Sequence, residues 1–144
     1  MRVWILWSAM LKFNKLLLPA LSGILLALAF PKTSFFWLAW VALIPLFFSF
    51  MRAKTLKEAA LIGFNFGIIF FGIHFWWMFS LYRFVQGWIL LGWISLVLFQ
   101  AIFFILFAVL YKLTGCRPFI GALIWVGIEW LRALGPFGVT GGVV

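Results

Sequence analysis

Five continuously apolar runs, 13–30, 35–51, 59–81, 88–111 and 118–134, divide the chain between short polar breaks. A helix needs about 20 residues to cross the ~30 Å hydrocarbon layer of a bilayer, and lengths of about 17–25 are common. Every run falls in that range. Membrane-spanning β-strands would instead alternate apolar and polar residues over segments of about ten, and none of the runs alternates. The pattern predicts an all-α fold: a polytopic integral membrane bundle of about five transmembrane helices.

The breaks carry local stop and start signals. Pro31-Lys32-Thr33-Ser34 reads as a tight turn between the first two spans. Proline cannot continue the first helix, and Ser or Thr can cap the second. Pro45 lies inside the second span, where its missing N–H predicts a kink. Lys57-Glu58 opens the third span, and Gly115 and Pro118 bracket the break before the fifth. Residues 1–12 hold Val3, Trp4, Ile5, Leu6 and Trp7, too few to cross, and are expected to lie in the membrane interface. Basic residues followed by Leu16 to Phe30 resemble a signal peptide, with Ala27-Leu28-Ala29 as a weak cleavage site. The four apolar runs that follow favour an uncleaved first span. Residues 135–144 start a glycine-rich loop and are expected to continue into further chain.

Charge adds a direction. The chain has 11 Lys and Arg residues. Arg2, Lys12, Lys15, Arg52, Lys54, Lys57, Lys112 and Arg117 fall in alternate breaks on one side. Lys32, Arg83 and Arg132 fall on the other. Short loops rich in Lys and Arg stay in the cytoplasm, so the amino end is expected inside and the carboxyl end outside. The net charge of +9 does not imply nucleic acid, because the basic residues sit singly or in threes at the ends of apolar runs. A nucleic-acid binder gathers them on one face; this distribution suits anionic headgroups instead. The composition, 68% hydrophobic and 9% charged, lies far from the roughly 45–50% and 25% of soluble domains.

Candidate chemistry is sparse. With a single cysteine (Cys116), one histidine (His74) and two acids (Glu58 and Glu129), neither a metal site nor an intrachain disulfide is expected, and no cofactor. Glu129 stands out as an acid within the fifth apolar run. Arg132, three positions on, shares its helical face. The two read either as a structural ion pair or as a substrate contact. His74, Asn65 and Gln100 are candidates for polar contacts between helices. Gly63 and Gly67, extended imperfectly by Gly72, have the small-xxx-small spacing that lets helices approach closely. Trp76, Trp77, Phe79, Tyr82, Phe84 and Trp88 surround the third break, as an interfacial belt or as a surface able to admit an acyl chain.

Three stretches together resemble apolipoprotein N-acyltransferase, the last enzyme of bacterial lipoprotein maturation. The first runs Leu25-Leu26-Ala27-Leu28-Ala29-Phe30-Pro31 and on through Trp37-Leu38-Ala39-Trp40 to Pro45-Leu46. The second is Gly63-Phe64-Asn65-Phe66-Gly67 through Gly72 to Trp76. The third is Glu129-Trp130-Leu131-Arg132 followed by Gly135-Pro136-Phe137-Gly138. Two stretches depart from the family pattern: Met78 stands where a Tyr is common, and Val139-Thr140-Gly141 where Phe-Pro-Trp is common.

The resemblance covers the membrane-embedded front of the family's chain. It implies an enzyme that moves an acyl chain from a membrane phospholipid, through a thioester on a cysteine, to the α-amino group of a diacylated lipoprotein. The family's catalytic Glu, Lys and Cys belong to a nitrilase-like domain with no counterpart here. Glu129 belongs to the membrane motif, so no catalytic residue is expected in this chain. Its implied role is to anchor and to position lipid in a bacterial cytoplasmic membrane. The rival readings from the residues alone are a non-enzymatic helical membrane protein, such as a transporter half or an assembly factor, and an interaction module that docks through its Gly63/Gly67 face.

Overall fold

The computed structural model describes residues 16–29, 35 and 37–133. The interfacial segment 1–12, the turn at 31–34 and the glycine-rich loop at 135–144 lie outside the described residues. Among the described residues there is no strand. The order is α1 (Leu16–Leu28), α2 (Leu38–Ala42), α3 (Ile44–Arg52), α4 (Leu56–His74), a 3₁₀ helix (Phe75–Leu81), α5 (Tyr82–Val85), α6 (Trp88–Leu113) and α7 (Pro118–Ala133).

Two stretches among the described residues are long and apolar enough to cross a membrane: Leu56–Val85 and Trp88–Leu113. Leu16–Leu28 and Leu38–Arg52 are shorter apolar helices, and α7 has 16 residues. The second span breaks at Leu43, with Pro45 in the first turn of α3. Proline has no N–H to donate back to the previous turn. Beside this break the buried Ser22 hydroxyl of α1 donates to the Ala42 carbonyl, so a neighbouring helix serves backbone left over by the break. The third span holds a change that its continuous apolar pattern does not announce. The α-helix ends at His74 and tightens into a seven-residue 3₁₀ helix, longer than the usual three or four residues.

The antiparallel pair α4 and α6 forms the spine. A Cβ on Gly63 would run into the Phe104 carbonyl oxygen and come within 2.8 Å of Ala108 Cβ. One on Gly67 would lie 3.0 Å from Ala101 Cα. These four small residues let the two backbones touch, and dispersion between them replaces the hydrophobic drive that lipid cannot supply. Gly23 plays the same part for α1, where a Cβ would meet the Phe66 carbonyl oxygen at 3.1 Å. Around this seam Phe66, Phe70, Phe71 and Phe104 pack at ring separations of 4.7–6.4 Å.

One end of the bundle gathers the ends of α3 and α6 and the starts of α4 and α7; we call it the basic end. Thr55 caps α4, accepting from the Glu58 N–H at 3.2 Å, while the Glu58 carboxylate accepts from the Lys54 N–H at 2.7 Å. This reciprocal capping satisfies donors that the helix start leaves open. α6 ends in a Schellman turn: the Gly115 N–H bonds to the Lys112 carbonyl and the Cys116 N–H to the Tyr111 carbonyl. Gly115 takes φ 75° and Cys116 φ 55°. Tyr111 closes the corner, donating its hydroxyl to the Cys116 carbonyl at 2.8 Å and stacking on Phe107 at 5.7 Å.

Candidate functional site

The opposite, aromatic end carries most of the candidate residues. Here the last turn of α4, the 3₁₀ helix and the start of α6 come together, while the end of α7 packs lower, against Phe103, Phe104 and Phe107 in the second half of α6. Arg132 Nη1 donates to Glu129 Oε1 at 2.6 Å. The arginine side chain is 13% exposed and the glutamate 45%, so the pair is anchored on the arginine side and open on the acid side. The guanidinium also lies over the Phe71 ring of α4, 5.4 Å from its centre. The hydrogen bond lies within α7 and fixes the arginine's direction, and the cation–π contact is what joins the end of α7 to α4. Phe103, Phe104, Phe107, Trp125 and Ile128 close around the pair, leaving about 10 Å³ of free space. That is barely the room one water needs, so the enclosed side of the pair is filled and only the exposed face of Glu129 is open.

A different space opens on the far side of α4. Ile68, Ile69, Gly72, Ile73, Trp76 and Trp93 line a groove of about 500 Å³, within the range of small-molecule sites. Its walls are hydrocarbon and indole. Gly72 lies on its floor, where an added Cβ would make an ordinary contact with Trp93 at 3.6 Å. The buried Trp93 indole N–H has no hydrogen-bond partner. Trp76 is 67% exposed at the groove's end and packs on Phe79 at 4.9 Å.

The structure thus brings Glu129 and Arg132 together, and Gly72 and Trp76 together, but the two spaces share no lining residue. His74 lines neither. It stacks on Phe70 at 5.5 Å and meets Phe75 edge-on at 5.3 Å. Gly63 and Gly67 belong to the α4–α6 seam. The carbonyl oxygens of Asn65 and Gln100 are buried and accept no hydrogen bond, unlike the interhelical bonds expected of them. Among the described residues no three His, Cys, Asp or Glu side chains gather. Cys116 sits at the basic end, its thiol turned to the Phe50 carbonyl at 3.8 Å, far from both spaces.

Sequence reasoning passed over Trp93 and Phe71. Neither has a local signal: both stand in runs where nearly every neighbour is apolar. They matter only because α4 meets α6 and α7 at their heights.

The family model for the apolipoprotein N-acyltransferase N-terminal domain matches residues 22–141. The chain belongs to this family. The matched stretch contains Gly63, Gly67, Gly72, His74, Trp76, Glu129 and Arg132. The family is that of a bacterial membrane acyltransferase acting on lipoproteins and phospholipids. No curated protein and no solved structure matches the chain.

Proposed function

We propose that this chain is the membrane-embedded front segment of an apolipoprotein N-acyltransferase. The complete enzyme transfers an acyl chain from a phospholipid to the α-amino group of the S-diacylglyceryl-cysteine of bacterial lipoproteins. In this reading the 144 residues cross the cytoplasmic membrane five times, with the amino end inside and the carboxyl end outside. They supply anchoring and lipid positioning and perform no acyl transfer themselves. The observation that carries the proposal is the family match over residues 22–141.

Three features support the roles. Leu91, Ile94, Leu98 and Ile102 of α6 and Leu123 and Val126 of α7 are exposed. Exposed to water, such side chains would be poorly solvated; in a bilayer they are solvated by lipid tails. The groove at Gly72, Trp76 and Trp93 offers a hydrocarbon-lined path for an acyl chain, and the exposed Trp76 at its end is of the residue type that prefers the headgroup boundary. Arg132, oriented by Glu129, seats the end of α7 on Phe71 of α4, a positioning role. Catalysis would rest on a cysteine, and the single Cys116 is at the basic end, on the opposite side of the membrane from these features.

A chimera tests this. The chain replaces the matching segment of a complete family member, and N-acylation of a diacylated lipopeptide is measured in proteoliposomes. The chimera is expected to be active, and this chain alone inactive. A correctly folded but inactive chimera would refute the positioning role. Acylation by this chain alone would refute its catalytic silence. Reporter fusions at positions 53, 85, 115 and 140 are expected to read inside, outside, inside and outside.

A further inference from the structure

Two basic stretches distant in sequence meet at the basic end. Phe50 packs edge-on to Tyr111 at 5.9 Å, and its carbonyl receives the Cys116 thiol at 3.8 Å. Arg52, Lys54 and Lys57 follow directly from Phe50; Lys112 and Arg117 flank Tyr111 and Cys116. Five cations therefore share one corner. Only two carboxylate side chains exist in the sequence. Glu58 is at this corner, where it caps α4. Glu129 is paired with Arg132 near the far end of α7. Arg52 folds back over the Phe48 ring at 4.0 Å. Lys54, Lys57, Lys112 and Arg117 have no ion-pair partner among the described residues.

The surroundings of these cations are apolar. Met51, Leu56, Leu113 and Phe119, each within two residues of one of them, are exposed. A ligand matching the corner must therefore be anionic at one end and hydrocarbon at the other. A free anion would leave the apolar rim uncovered, and a nucleic acid would have to lie against it.

We propose that this corner binds the headgroup of an anionic phospholipid of the inner leaflet. Lys54, Lys57, Lys112 and Arg117 surround the phosphate, and the acyl tails lie along the exposed apolar side chains beside them. The site is separate from the groove at Trp76, and it rests on the membrane-spanning, amino-end-inside reading given above. Basic pockets at cytoplasmic helix ends are suited to such headgroups, and each cation near the surface strengthens attachment about fivefold.

The test uses the full chain in nanodiscs of mixed phosphatidylglycerol and phosphatidylcholine. Lipid retained on release is counted by native mass spectrometry. The wild-type chain is expected to retain phosphatidylglycerol preferentially. Lys57→Gln and Lys112→Gln are each expected to weaken that preference about fivefold, and the double variant about 25-fold. Arg83→Gln, at the opposite end, is expected to leave it unchanged. Far-UV circular dichroism checks that each variant is folded. Equal retention of the two lipids by the wild-type chain would overturn the proposal. So would an Arg83→Gln loss as large as that of Lys57→Gln, or displacement of the lipid by millimolar inorganic phosphate. Carbonate extraction separates the two levels. A chain washed out of the membrane refutes the spanning reading itself, and a chain that stays but shows no lipid preference refutes this site alone.

Discussion

Alanine placed in turn at Gly63, Gly67 and Gly72 is expected to give three different outcomes, of two signs. In an open helix each replacement would stabilise by about 1 kcal/mol through helix propensity. The tertiary contacts change that. At Gly63 the new methyl meets the Phe104 carbonyl oxygen and stands 2.8 Å from Ala108 Cβ. One obstacle is backbone and the other is a single bond from it, so no side-chain rotation relieves the clash. α4 and α6 must part by roughly 1 Å, and a gap of that size forfeits a quarter to a half of each contact's dispersion energy. Overpacking of this kind costs about 1–3 kcal/mol. Because the obstacles are fixed, the cost lies toward the top of that range, and after the propensity gain Gly63→Ala loses up to about 2 kcal/mol. At Gly67 the nearest atoms are Ala101 Cα at 3.0 Å and Ala101 Cβ at 3.2 Å. A shift of a few tenths of an ångström suffices, and the net effect is within about 0.5 kcal/mol of zero. At Gly72 the nearest atom is Trp93 Cζ2 at 3.6 Å, an ordinary contact, and the variant gains up to about 1 kcal/mol. Unfolding in mixed micelles by added SDS, followed by tryptophan fluorescence, gives the three values. A Gly63→Ala protein as stable as wild type, or a Gly72→Ala protein less stable than Gly63→Ala, would refute the reasoning.

Three further outcomes are open to the same assay. Tyr111→Phe removes the hydroxyl that serves the Cys116 carbonyl and is expected to cost about 1–2 kcal/mol, with no change in ring packing. Thr55→Ala removes the acceptor for the Glu58 N–H and is expected to cost about 1 kcal/mol, which Thr55→Ser largely restores. Arg132→Lys keeps the charge beside Glu129 but loses the flat guanidinium over Phe71. It is expected to recover less than half of the stability lost in Arg132→Ala. Full recovery would show that charge alone holds the end of α7.

The 3₁₀ helix from Phe75 to Leu81 separates what is local from what is not. Its residues, Phe75-Trp76-Trp77-Met78-Phe79-Ser80-Leu81, contain neither glycine nor proline, and their apolar character continues that of α4. Nothing in that string marks the change of helix type. The break at Leu43 is different, because Pro45 removes a donor by its own covalent structure. The caps behave likewise. Thr55 before Glu58 and Gly115 before Pro118 act on neighbours three or four residues away, so their effect is written within the segment. Glu129 and Arg132 are of the same kind, since three residues of helix bring them together whatever surrounds them.

The helical class, the apolar runs, the capped ends and the Glu129–Arg132 pair were determined by the sequence alone, because each depends on side chains within one turn of one another. The tertiary structure alone decided which faces meet. α6 is apolar nearly all round, so no periodicity tells its packed face from its exposed face. It is Gly63, Gly67, Ala101 and Ala108, coming from two separate helices, that set the seam. The groove of Gly72, Trp76 and Trp93, the seat of Arg132 on Phe71, and the corner where Phe50 joins Tyr111 and Cys116 all unite residues from different elements. In a chain this uniformly apolar, hydrophobicity assigns residues to the membrane but cannot choose among them; that choice falls to shape, which exists only once the helices are packed.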